Sequence, residues 1–184
     1  MILLDRLLAI STTYPRLQLA GVGVVGVALV GGGVFLARTM NLAACPLCIL
    51  QRMLYLLLAL EALVMLPWAR GMGIRFVALI MAGTAATGVW IAAYQTWLQR
   101  FARGVSCTAD QPWWEQFVNW AGTQSPALFE ATSMCDEAGW VFLGLSIAEW
   151  SLVAFSSMTV VSIHAIFRRT QQTTIERAGL ASRF

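Results

Sequence analysis

Four stretches of the chain are apolar and almost uncharged, and one long stretch between the third and the fourth is polar. Residues 17–37 carry no charge and have a glycine-rich centre of Gly21, Gly23, Gly26, Gly31, Gly32 and Gly33. Crossing ~30 Å of hydrocarbon takes roughly 20 helical residues, so this stretch predicts a first span. In lipid a backbone satisfies its hydrogen bonds by closing a helix, and glycines let a second helix come near. Residues 46–66 predict a second span. Pro46 suits its first turn, where a missing N–H is no loss, and Pro67 and Trp68 follow its end. Residues 74–98 predict a third, with Trp97 near its far end as an interfacial aromatic. Residues 140–167 predict a fourth. The connecting pieces are a tail at 1–16, a segment at 38–45, a tight turn at 67–73, the polar loop at 99–139 and a second tail at 168–184. Within the loop, Trp113, Trp114, Phe117, Val118 and Ala121 fall at helical spacing, with Glu115, Gln116 and Asn119 opposite. That pattern predicts a short helix lying in the membrane interface. The expected fold is an all-α membrane protein, a four-transmembrane-helix bundle with a long loop between spans three and four.

Composition supports this reading. Hydrophobic residues make up 59% of the 184 and charged residues 11%, where a soluble domain carries roughly 25% charged residues. The net charge of +3 is small, and no basic cluster resembles a nucleic-acid footprint. All twelve basic residues are arginine, and they orient the bundle. With both termini on one side, that side holds eight: Arg6, Arg16, Arg70, Arg75, Arg168, Arg169, Arg177 and Arg183. The other side holds three, Arg38, Arg100 and Arg103, while Arg52 lies within a span. The positive-inside bias predicts cytoplasmic termini. All four cysteines then fall on the outer side, where disulfides persist. Leu42-Ala43-Ala44-Cys45 resembles a lipoprotein processing site, but the intervening Arg38-Thr39-Met40-Asn41, the following Pro46 and three further spans oppose it.

The chemistry centres on Cys45-Pro46-Leu47-Cys48-Ile49-Leu50-Gln51-Arg52. A C-x-x-C at a helix start places a thiolate against free backbone N–H groups and the positive end of the helix dipole. A structural disulfide and half of a metal site are the alternatives. Zinc held by four cysteines favours two close pairs. Cys107 and Cys135 are instead 28 positions apart, which suits a disulfide closing a loop, so no metal is expected. The pairing of the four cysteines stays open, since three connectivities are possible. Arg52, four residues after Cys48, shares the helix face of that sulfur. A charge inside a span marks a functional site by default, and here it points to stabilising the Cys48 thiolate and binding an anionic or carbonyl-bearing ligand. Glu149 lies nine positions into span four, roughly 13 Å below Trp140 by helical rise, and is expected to pair with Arg52 or shape its field where the ligand binds. Glu61 is expected to reach water, and His164 to sit at the opposite interface.

The chain resembles the disulfide bond formation protein B (DsbB) family over essentially its whole length. The resemblance rests on four spans, C-x-x-C-x-x-x-Arg opening the second, two loop cysteines before the fourth, and the run from Cys135-Asp136-Glu137 through Trp140-Val141-Phe142-Leu143-Gly144-Leu145. It implies an inner-membrane thiol:quinone oxidoreductase that reoxidises a DsbA-like periplasmic thioredoxin-fold protein and so sustains disulfide formation in secreted proteins. By the resemblance, Cys107 forms the mixed disulfide with the partner, Cys135 exchanges with Cys45, and Cys48 hands electrons to a quinone, ubiquinone or menaquinone, beside Arg52. Some members carry a histidine near the outer end of span three. This chain has Gln95 there, which leaves hydrogen bonding to a quinone oxygen in place of an acid–base role. The rival readings are a quinone reductase of the vitamin K epoxide reductase type, which the C-x-x-C at the start of span two opposes, and a non-catalytic scaffold tied by disulfides, which has no need of Arg52.

Overall fold

The structure is a computed structural model of the chain and describes residues 15–67, 73–101, 112–131, 133, 135 and 139–181, with side chains as far as residue 167. Its elements are α1 (Pro15–Thr39), α2 (Pro46–Met65), α3 (Gly73–Phe101), α4 (Trp113–Gln124), α5 (Pro126–Phe129), β1 (Val141–Phe142), β2 (Leu145–Ser146) and α6 (Ile147–Ala181). The four long helices α1, α2, α3 and α6 are each long and apolar enough to cross a membrane. Their outward faces carry Val24, Leu63, Phe76, Trp90 and Val160, all exposed. A chain with such faces has lipid as its natural solvent, and the protein is a four-helix, multi-pass membrane protein.

Two seams hold the bundle. Along α1 and α2, a Cβ on Gly23 would lie 2.7 Å from Ala62 Cβ, and one on Gly26 would lie 2.8 Å from the Tyr55 carbonyl oxygen. Along α3 and α6, a Cβ on Gly88 would run into the Phe155 ring. Phe155 is itself stacked on Tyr55 with centroids 4.1 Å apart, joining the two seams. Leu19, Leu58, Ile74, Met81 and Phe155 are fully buried between them.

Helix ends follow local chemistry. Asn41 takes a left-handed conformation (φ 51°), which lets the Leu42 N–H reach the Ala37 carbonyl at 2.9 Å and closes α1 in a Schellman arrangement. Ser146 and Glu149 cap α6 reciprocally: the Ser146 N–H donates to Glu149 Oε2 at 2.8 Å, and the Glu149 N–H to Ser146 Oγ at 3.3 Å.

Several expected boundaries shift. Span one begins at Pro15 instead of residue 17 and runs to Thr39, span two ends at Met65, and span three runs from Gly73 to Phe101 instead of 74–98. The largest correction concerns span four. Residues 140–146 are not helical. Val141 pairs with Ser146 and Phe142 with Leu145 in an antiparallel hairpin, turned by Leu143 (φ 52°) and Gly144 (φ 80°), the positive-φ pair that a two-residue turn requires. An apolar run does not distinguish a hairpin from a helix, whereas Ser146-x-x-Glu149 marks the true start. The helix then continues through the expected tail to Ala181. Most of the 1–16 tail and of the 67–73 turn lies outside the described residues.

Glu61 is also corrected. It is buried, and its Oε1 accepts a hydrogen bond from Thr84 Oγ1 at 2.7 Å, so it faces α3 instead of water. His164 Nδ1 lies 3.3 Å from Gln18 Nε2.

Candidate active site

Cys45 is the N-cap of α2, in extended conformation (φ −91°, ψ 162°), and its sulfur accepts from the Cys48 N–H at 3.4 Å. Pro46 occupies the first turn. The C-x-x-C spacing closes one helical turn, so the two sulfurs lie 3.1 Å apart as free thiols. A second strand of chain meets them there. Ser133 donates through its N–H to the Ala44 carbonyl and through its hydroxyl to the Ala43 carbonyl, both at 3.2 Å. These two bonds dock the loop on the segment leading into Cys45 and set Cys135 against it. Cys45, Leu47 and Cys135 are buried together, with Cys48, Ile91, Leu98 and Trp114 packed around them.

The protonation of the trio is uneven. Cys45 is pushed far above the ordinary thiol value, first by its hydrogen bond to Cys135, next by that to Cys48, and then by burial. Cys135 moves the other way, below its ordinary value, because Cys45 donates to its sulfur; the Leu47 N–H adds to this, and burial opposes it. Cys45 therefore keeps its proton and offers it to its neighbours, while Cys135 is favoured as a thiolate.

Gln95 approaches the sulfurs from α3. It is buried, and its Nε2 lies 3.2 Å from Cys45 Sγ and 3.1 Å from Cys48 Sγ, while its Oε1 accepts from Gln51 Nε2 at 2.8 Å. Arg52 is half-buried, and its Nη1 donates to the Leu128 carbonyl of α5 at 3.1 Å. Its charge acts on the Cys48 and Cys45 sulfurs.

A cavity of about 480 Å³ opens beside Cys48, walled by α1, α2, the hairpin and the start of α6, with Gly32, Gly33, Cys48, Arg52, Tyr55 and Trp150 among its lining. Gly31, Gly32 and Gly33 have nothing within 4 Å of where a Cβ would stand. These glycines leave room instead of bringing a helix close. A smaller cavity of about 140 Å³ lies between Cys45, Cys48, Gln95, Gln99 and Trp140.

Of the expected site residues, Cys45, Cys48, Cys135, Gln95 and Arg52 gather at one end of the bundle. Cys107 lies outside the described residues. Glu149 does not meet Arg52. Its Oε1 accepts from Arg100 Nε at 2.8 Å, and the two form an ion pair that clamps the end of α3 to the start of α6. With α6 beginning at Ile147, Glu149 sits in its first turn instead of deep in the span, and so at the level of Arg100. The loop helix forms as α4, but its faces differ from expectation. Glu115, Val118 and Ala121 are buried, while Trp113, Phe117 and Trp120 are exposed. Sequence reasoning missed Gln51 and Ser133. Gln51 carried a usable signal, as a polar residue inside an apolar span; a loop serine carries none.

The family described as disulfide bond formation protein DsbB matches residues 15–165. The disulfide bond formation protein B of Dechloromonas aromatica (strain RCB) is 35% identical over 151 residues, covering 81% of this chain and 89% of the relative. That of Nitrosospira multiformis is 33% identical over 147 residues, 78% and 86% of the two chains, and that of Acidovorax sp. (strain JS42) is 32% identical over 174 residues, 90% and 97%. With a transmembrane four-helix bundle, a cysteine trio at the end of one helix and this match across most of its length, the chain belongs to the disulfide bond formation protein B family.

Proposed function

We propose that the protein is a dithiol:quinone oxidoreductase of the bacterial inner membrane, taking electrons from a DsbA-like thioredoxin-fold protein in the periplasm and passing them to a membrane quinone. The observation that carries this reading is the convergence of Cys45, Cys48 and Cys135 beside an apolar cavity that Cys48 and Arg52 help to line. The arginine bias of eight against three supports cytoplasmic termini and a periplasmic cysteine end.

In the relay, the partner's thiolate attacks a Cys107–Cys135 disulfide at Cys107 and releases Cys135 as a thiolate. The partner's second thiol then resolves the mixed disulfide, so the partner leaves oxidised and Cys107 leaves reduced. Cys135 attacks Cys45 of a Cys45–Cys48 disulfide and frees Cys48. Attack by Cys107 on the Cys135–Cys45 bond restores the loop disulfide and frees Cys45. Two electrons and two protons have then passed from the partner to Cys45 and Cys48. Each exchange runs through a mixed disulfide, and the lowered Cys135 thiol suits both its leaving and its attacking roles.

A quinone fits the residues present. The cavity is largely apolar, Gly32 and Gly33 keep its α1 wall open, and Arg52, Gln51 and Cys48 are among its lining. When bound, a quinone supplies an acceptor for two electrons and two protons, becoming a quinol. Arg52 would hold its carbonyl oxygen, and Trp150 and Tyr55 would exclude water from Cys48.

The test mixes the detergent-purified protein with a reduced periplasmic thioredoxin-like protein and a soluble ubiquinone or menaquinone analogue, and follows quinone absorbance. Reduction that disappears in both Cys48→Ser and Cys107→Ser is the expected result. A folded protein that reduces neither quinone overturns the reading and leaves a disulfide-tied scaffold.

A further inference from the structure

We propose that Gln51 and Gln95 form an amide relay serving the redox sulfurs: Gln95 is a catalytic hydrogen-bond donor to Cys45 and Cys48, and Gln51 is a positioning residue that fixes which end of the Gln95 amide faces them. The proposal rests on reading the C-x-x-C as the redox centre, and not on the quinone.

An amide has two unlike ends, one a donor and one an acceptor. A sulfur that is ionised or in a disulfide has no proton to give, so only the NH₂ end of Gln95 stabilises it. That end faces both sulfurs, at 3.2 and 3.1 Å. The other end is held by Gln51 Nε2 at 2.8 Å. The two side chains are only 3% and 1% exposed, so water does not substitute for either partner. Turning Gln95 over would set its NH₂ against that of Gln51 and its oxygen against two sulfurs, leaving buried donors unmatched, which is costly. Gln51, which α2 delivers one turn after Cys48, thus matches the orientation that puts the donor end of Gln95 toward the sulfurs.

The groups around the pair differ in kind. Arg52 acts on the sulfurs from α2 as a fixed charge. Cys135 abuts Cys45 from the loop, and Glu115 of α4 lies near enough to act on Cys135. Gln95 adds a donor from α3 that does not titrate, so it is present at every pH at which the enzyme works. A histidine in the same place would give a donor whose charge changes near neutrality.

The test is alkylation of the reduced, detergent-purified full chain by iodoacetamide from about pH 5 to pH 10, read at Cys48 by peptide mass spectrometry. Gln95→Met should slow Cys48 alkylation about tenfold at the acid end of the range, where the thiolate is the minor form, the order of one net hydrogen bond to a charged group. The rate at the alkaline limit, where the thiol is fully ionised, should change by less than about twofold, because the thiolate is the reacting species. Gln51→Met, with Gln95 intact but free to turn, should give a smaller loss of the same form. Gln95→His restores an N–H and should recover the rate, its advantage over Gln95→Met growing as the pH falls through about 6.5. Gln95→Leu fills a similar volume without a donor toward sulfur and replaces Gln95→Met if that variant does not fold.

Acid-side rates equal to wild type in the Gln95 and Gln51 variants overturn the proposal. So does an equal slowing at acid and alkaline pH, which marks altered access instead. Unchanged alkylation with quinone reduction intact defeats this inference alone; altered alkylation with no quinone reduction by the wild type defeats the proposed function alone.

Discussion

Two runs of glycine on the same helix do opposite things. Gly23 and Gly26 of α1 sit under Ala62 and Tyr55 of α2, with no room for a methyl group. Gly31, Gly32 and Gly33, one to two turns later, face open space, and Gly32 and Gly33 form part of the wall of a cavity of about 480 Å³ beside Cys48. The residue type and the helix are the same. What differs is the partner: at the lower level α2 lies against α1, and at the upper level α6 and the hairpin stand back from it. One half of the bundle is built for close packing and the other to leave room next to reactive sulfur.

The comparison breaks if the packed half tolerates bulk. Gly26→Leu and Gly88→Leu should be the most damaging substitutions, because a Tyr55 backbone atom and the stacked Phe155 ring cannot retreat. Overpacking of this kind costs roughly 1–3 kcal/mol or more. The midpoint of unfolding by SDS titration in mixed micelles should fall sharply for both.

In the open half the same change should spare the fold. Gly32→Leu is expected to leave that midpoint within about 0.5 kcal/mol of wild type. It should raise the KM for a quinone analogue about tenfold, equivalent to ~1.4 kcal/mol of lost binding. A stability loss as large as that of Gly26→Leu would show that the two glycine runs do the same job.

At the cysteine end the capping pair and its ion pair hold the end of α3 to the start of α6. Ser146→Ala should cost about 1 kcal/mol, as loss of a helix cap does, and Arg100→Gln less, since Arg100 is exposed and such pairs contribute little. Both are measured by the same titration. An Arg52-linked effect, such as a changed quinone KM in Glu149→Gln with the fold intact, would contradict the pairing with Arg100.

The finest effect is electrostatic. In reduced protein, Cys135 should be alkylated at pH values below those an ordinary thiol needs, because a lowered thiol is ionised sooner as pH rises. Cys45 should stay unreactive well past them. Cys45→Ala removes the donor and should move the Cys135 alkylation midpoint upward, toward an ordinary thiol. An unmoved midpoint would mean that Cys45 does not hold Cys135 as a thiolate.

Some of this was written in local sequence. Each span follows from about twenty apolar residues and a solvent that leaves the backbone no partner but itself. Cys45 and Cys48 on one helical turn follow from their spacing and from Pro46. The loop helix follows from the spacing of Trp114, Val118 and Ala121. Even the true start of α6 was legible in Ser146-x-x-Glu149, although the apolar run before it resembled more helix. Contacts between distant parts were not legible. Cys135 meets Cys45 through two hydrogen bonds of Ser133, Glu149 chooses Arg100 over Arg52, Glu61 turns inward to Thr84, and Gln51 aligns Gln95. Hydropathy and periodicity are properties of neighbours along the chain, so they set where helices begin and which faces are apolar. Which polar group meets which across 23 to 90 residues depends on the rotation and height of one packed helix against another, and that is settled only when the whole bundle closes.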